Sequence, residues 1–262
     1  MEAKSVNFKQ AKGIKSAFLV ILCCFILAVC IFHFVLGNPA NFMNNDPNNH
    51  PLPGNMLGTI YKGGVIVPVI QTLLLTVLVL SKAKGKGNVV KFVKNVKDAL
   101  NGGDVEKARE LCVKQKGSVA SVVYSALTKY EEMEKDTTLA KDQKLMNIQK
   151  ELDEATALEL PTLEQNLVVI ATMTTLGTLT GLLGTVIGMI KSFAALANAG
   201  SPDSVALSAG ISEALVNTAF GIATGALAVI SYNYFTSKID KLTYSIDEVG
   251  FTIVQTYAAT HK

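Results

Sequence analysis

Four long stretches, residues 17–36, 63–81, 165–190 and 207–235, contain between them a single Asp, Glu, Lys or Arg, namely Glu213. A bilayer core about 30 Å thick takes about 20 apolar helical residues to cross. The four stretches therefore predict four transmembrane helices in an all-α polytopic membrane protein. Apart from Glu213, charge is confined to the segments between and beyond them, and 49% of the 262 residues are hydrophobic. The net charge of +3 could suggest nucleic acid, but the basic residues flank apolar runs, where bilayer orientation explains them. No nucleic-acid partner is expected. Cys23, Cys24 and Cys30 lie in the first apolar run and Cys112 stands alone. Neither disulfide nor metal spacing follows, and no cofactor is implied.

The first stretch is longer than a signal-peptide core and has no A-x-A-like site after it, so it is read as a retained helix. Lys4, Lys9, Lys12 and Lys15 precede it, fifteen basic residues lie in 82–164, and Lys238 and Lys241 follow the fourth stretch. Segments 37–62 and 196–206 hold only Lys62. By the positive-inside rule both termini face the cytoplasm and those two segments lie outside. Residues 1–62 thus form a tail, a helix and an outer loop, 63–81 a second span, 82–164 a helical cytoplasmic domain, and 165–262 a transmembrane hairpin with a cytoplasmic C-terminal helix. The Asn- and Pro-rich segment 38–55 is expected to lack regular structure. Its His50 and Asp46 are read as solvated loop residues.

In the cytoplasmic segment Val89, Phe92, Val93, Val96 and Leu100 recur at helical spacing. Asn101 to Gly103 end that helix, Asp104 caps the next, and Gly117 and Ser118 mark another break. A charged helix over 139–160 follows, with Pro161 as a bend or restart point. Such helices offer little core for an enzyme.

The third stretch keeps a polar row. Thr174, Thr178, Gly181, Thr185, Gly188 and Ser192 step by three and four, as do Gly210, Ala214, Thr218, Gly221, Gly225 and Ala228 in the fourth. Together with Gly184 these small residues let two helices approach closely, and hydroxyls in such faces either pack helices or line a polar path. Glu213 is the one carboxylate within the last two stretches. An intramembrane acid is a functional candidate, since a charge there costs on the order of 3 kcal/mol unless paired or hydrated. No span contains Asp, so a proton path would need its main carrier from a second polypeptide. The alternative is a non-conducting scaffold in which the Thr–Gly faces only pack. His33, near the outer end of the first span, is read as interfacial.

GLLGTVIGMIKSF (181–193) followed by GISEALVNTAFGIATGALAVISYNYF (210–235) resembles the ExbB/TolQ/MotA proton-channel family, most of all ExbB. The likeness extends upstream through GDVEKARELCVKQKGSVASVV (103–123) and LEQNLVVIAT (163–172). The resemblance implies a homopentamer in the bacterial inner membrane around the single spans of an ExbD-like dimer, in contact with lipid. Proton flow would drive ExbD, and a TonB-like protein would relay the motion to outer-membrane receptors. TolQ-like or MotA-like and gliding-motor roles belong to the same mechanistic class. By motif position Thr185 and Thr218 would face the partner's Asp, and Glu213 would be the family's intramembrane glutamate. Two departures stand out: Gly177 and Thr178 replace the Ala-Pro of many relatives, and residues 1–36 add a span to the usual three of ExbB.

Overall fold

The computed structural model describes residues 17–47, 49–81, 89–198 and 204–260, and these are all-α, with one isolated antiparallel bridge between Phe42 and Pro51. The lysines of the N-terminal tail, Lys82, Lys84 and Lys86, and part of the 196–206 segment lie outside the described residues. Eight helices follow in order: α1 (Ala17–Cys30), α2 (Met56–Tyr61), α3 (Ile66–Ser81), α4 (Val89–Asn101), α5 (Val105–Gln115), α6 (Ser118–Lys135), α7 (Lys141–Asn198) and α8 (Ser204–Thr260). Three apolar runs, in Leu19–Leu36, within α7 and within α8, are long enough to cross a bilayer. The second expected span, α3, is 16 residues long.

The described residues divide into two compact units, one of 17–81 and 166–234 and the other of 89–165 and 235–260. In the first, α1 continues into a π-helical turn, Ile31–Leu36, and packs along α3, burying Cys24 and Ala28 on one helix and Val67, Ile70 and Val77 on the other. The connection from α1 to α3 is folded, contrary to expectation. Short 3₁₀ turns at Pro39–Asn41 and Met43–Asn45 precede α2. Asn41 Nδ2 donates to the Val35 and Leu36 carbonyls at 2.9 and 3.0 Å, and Asn55 Nδ2 donates to Asn41 Oδ1 at 3.1 Å. Phe42 is 1% exposed, and Tyr61 stacks on Phe32 at 4.7 Å. Asn and Pro do favour turns; here the same Asn side chains also satisfy the exposed end of α1, and the buried aromatics hold the turns in place.

The second unit holds a core larger than its sequence breaks suggest. Val93, Val96 and Leu100 of α4 and Val122, Val123 and Leu127 of α6 are buried with Ile148 and Leu152 of α7 and with Ile246, Val249, Ile253 and Tyr257 of α8. Tyr257 donates to the Met133 carbonyl at 3.0 Å. Helix ends fall where the local chemistry puts them: Asp104 accepts from the Lys107 amide at 2.9 Å, and Gly103 and Gly117 take positive φ, +73° and +94°. Pro161 behaves differently from expectation. α7 runs unbroken through it from Lys141 to Asn198. A proline removes one amide and one hydrogen bond, and the rest of this 58-residue helix keeps its own.

Cys112 lies at the centre of this core, and burial pushes its thiol up to about 12. The neutral thiol is a poor nucleophile. Maleimide at neutral pH should leave Cys112 unlabelled in the native protein and modify it on unfolding, as read by peptide mass mapping; rapid native labelling would show this core to be open.

Candidate functional site

In the first unit the later part of α7 and the earlier part of α8 pack as an antiparallel pair with almost no side chain between them. Gly177, Gly181, Gly184, Gly188 and Ser192 of α7 are buried, and so are Gly210, Ala214, Asn217, Gly221, Thr224, Gly225 and Ala228 of α8. A methyl group added to Gly221 would stand 2.6 Å from Gly181 Cα and 2.7 Å from the Gly177 carbonyl; one added to Gly188 would stand 2.8 Å from the Gly210 carbonyl. The backbones touch. Close approach of this kind gives dispersion contact along the helices without a hydrophobic driving force. Gly181, Gly184, Gly188, Gly221 and Gly225 thus all belong to the seam.

The threonines do not. Thr178 is exposed, and Thr174, Thr185 and Thr218 are half-buried at the seam's edge. A methyl group on Gly225 would stand 2.8 Å from Thr178 Oγ1, which fixes the register of that edge. Thr185 is two helical turns beyond Thr178, and Thr218 two turns before Gly225, so in antiparallel helices Thr185 and Thr218 oppose each other on the same flank. The four hydroxyls form a row beside the seam. A three-and-four spacing covers a stripe wide enough to hold both the glycines that touch and the threonines that flank them.

Nor do these hydroxyls bond across helices. Thr174 donates to the Ile170 carbonyl at 3.5 Å, Thr178 to Thr174 at 3.2 Å, Thr185 to Leu182 at 2.6 Å and Thr218 to Ala214 at 3.3 Å, each within its own helix. Ser192 bridges, with bonds of 3.0 Å to the Gly188 carbonyl and 3.3 Å to that of Leu207. A carbonyl can only accept, so each threonine commits its proton to the backbone. What its oxygen offers outward is a lone pair.

Glu213 sits elsewhere. Five residues separate it from Thr218, about 140° around a helix, with the buried seam between them. Its side chain is 12% exposed and its Oε1 lies 2.6 Å from the Lys191 ammonium. Across from it runs the turn that leads into α3, where Gly64 has φ +72° and an added methyl group would stand 2.6 Å from Glu213 Oε1. One turn along α8, Asn217 is wholly buried and donates to the Gly63 carbonyl at 2.9 Å. Lys191, Asn217 and this glycine turn were not singled out from the sequence. The signal available was numerical: in an antiparallel pair whose facing residues include Gly181 with Gly221, Lys191 falls near Glu213.

A family model described as the MotA/TolQ/ExbB proton channel family matches residues 115–248, just over half of the chain. The chain belongs to this family. The match takes in the seam, the threonine row and the Lys191–Glu213 pair, while α1 to α4 and all but the last residue of α5 precede it. Among curated relatives, the chain is 26% identical over 191 residues to the Tol-Pal system protein TolQ of Pseudomonas aeruginosa, covering 66% of this chain and 81% of the relative. It is 35% identical over 88 residues to a putative biopolymer transport protein, ExbB-like 3, of Synechocystis, covering 33% of this chain and 42% of that protein. The family is one of membrane proton channels rather than of enzymes, and the long apolar helices of this chain suit a multi-pass inner-membrane protein.

Proposed function

We propose that this chain is the proton-channel subunit of an inner-membrane motor, a homo-oligomer, on the family's pattern a pentamer, with both its termini cytoplasmic, whose threonine flank faces the single span of an ExbD- or TolR-like partner. The observation that carries the reading is the row Thr174, Thr178, Thr185 and Thr218, whose protons are engaged within their own helices. Oxygens presented as acceptors suit a carboxylic acid in its protonated, donating form. A partner Asp that has taken up a proton can therefore donate it to Thr185 or to Thr218 in turn, and once it loses that proton the row offers it nothing unless a hydroxyl breaks its backbone bond. That difference between the two protonation states turns proton flow into displacement of the partner. One charge crossing 100 mV supplies about 2.3 kcal/mol, which exceeds the roughly 1 kcal/mol of a hydrogen bond to be exchanged.

ExbB-type energising of outer-membrane import through a TonB-like protein is the leading assignment. A TolQ-type role in the cell envelope is the second, favoured by the longer match to TolQ. Deleting the gene separates them. Loss of growth on receptor-delivered iron or vitamin with an intact envelope supports the first, whereas envelope leakage with normal uptake supports the second. Proton flux in vesicles holding the purified complex tests the shared reading, and vesicles without flux would refute it.

A further inference from the structure

At the end of the hairpin nearest residues 199–203, three elements meet around one carboxylate. Lys191 of α7 reaches Glu213 of α8 at 2.6 Å, and Glu213 Oε1 lies against Gly64 in the turn before α3. Only a glycine fits there, for reasons of space and of its +72° φ. Asn217 pins the same turn through the Gly63 carbonyl, and its own Oδ1 is buried and accepts no hydrogen bond among the described residues.

We infer that Lys191 is the positioning residue of Glu213, and that the pair works as a clasp between the α7–α8 hairpin and α3 rather than as a member of the threonine row. This deepens the proton-channel reading and rests on it for its role in the motor. A charge this enclosed is costly to leave unpaired, and the Lys191 ammonium at 2.6 Å pairs it. Among the described residues the charged groups around Glu213 are few. α7 contributes Lys191; the turn before α3 contributes uncharged glycines; the ammonium of Lys62 is held by the Pro47 carbonyl at 2.9 Å; and α8 adds the neutral Asn217. Lys191 is thus the countercharge. Its side chain is 54% exposed, so the ammonium can swing into water while its stem stays in place. Without the ion pair the carboxyl is freed from the ammonium, and the grip on the α3 turn loosens.

The test is a double-variant cycle read as the melting temperature of the detergent-solubilised full chain. Lys191→Met and Glu213→Gln should each lower it, Lys191→Arg should keep it, and adding Lys191→Met to Glu213→Gln should lower it no further. Additive losses, or a loss in Lys191→Arg equal to that in Lys191→Met, overturn the clasp. Should Lys191→Met fail to fold, the exchanged pair Lys191→Glu with Glu213→Lys must recover the folded protein that Lys191→Glu alone loses; no recovery overturns it equally. Proton flux is read separately: coupled losses in a complex that conducts no protons sink the channel reading alone, and flux with additive losses sinks the clasp alone.

Discussion

Gly221→Val should prevent the α7–α8 hairpin from closing. A single methyl group at residue 221 already stands 2.6 Å from Gly181 Cα and 2.7 Å from the Gly177 carbonyl. Both are backbone atoms, so no rotamer change can make room; the helices themselves must separate. Overpacking a filled core by a methyl or two costs about 1–3 kcal/mol where side chains can yield, and here they cannot. Gly221→Ala should therefore lower the melting temperature of the detergent-solubilised protein markedly, and Gly221→Val should yield protein that neither forms its oligomer nor resists protease. Gly103→Ala is the matched control. Nothing lies within 4 Å of a methyl group there, and its φ is +73°, so the penalty is the roughly 1–2 kcal/mol of a left-handed residue and assembly survives. Equal behaviour of the two alanine variants would mean that the seam is looser than described.

Thr185→Val and Thr218→Val should do the opposite, sparing assembly and abolishing work. Each removes one hydroxyl at nearly constant volume from the edge of the seam, and the Leu182 and Ala214 carbonyls lose a side-chain donor while keeping their place in the helix. The stability change should stay within about 1 kcal/mol, the ordinary net worth of a hydrogen bond. Function depends on those oxygens more strongly. If each accepts in turn from the O–H of a protonated partner carboxyl, losing one removes about 1–1.5 kcal/mol from that step, close to tenfold in rate, and the two losses do not add because the carboxyl has one proton to donate. Flux in vesicles, compared at equal amounts of intact oligomer, measures this. Wild-type flux in the double variant would return the threonines to a packing role.

Much of this arrangement is legible in the chain itself. Uncharged runs long enough to cross a bilayer mark the spanning helices, and Asp104, Gly103 and Gly117 mark the ends of the soluble ones, because caps and left-handed turns are local chemistry. What is less legible depends on contacts far apart in sequence. The spacing of Ile246, Val249, Ile253 and Tyr257 advertises a sticky face but not its complement, which is built from α4, α6 and the start of α7. Pro161 looks like a stop signal, yet the helix continues on both sides of its one missing amide. The Asn-rich segment reads as loop because its order comes from Asn41 bonding back to the end of α1 and from Phe42 being buried. In the site, the small-residue spacing identifies the seam well, but three-and-four periodicity cannot separate residues that touch from residues one step around the helix. Thr185 and Gly184 are neighbours in sequence, and one is an edge and the other an interface. Glu213 is legible as an unusual acid; its partner, 22 residues back, becomes visible when the register of the two helices is known.

The central claim is that the flank carrying Thr185 and Thr218 faces the partner's span while the flank carrying Thr180 and Ile187 does not. Photo-crosslinking residues placed singly at 185, 218, 180 and 187 in the purified complex, with adducts mapped by mass spectrometry, measure it directly. Positions 185 and 218 should capture the transmembrane helix of the single-span subunit, near its carboxylate, and positions 180 and 187 should not. Adducts of 185 and 218 with lipid alone, or capture of that helix from 180 and 187 instead, would contradict the account.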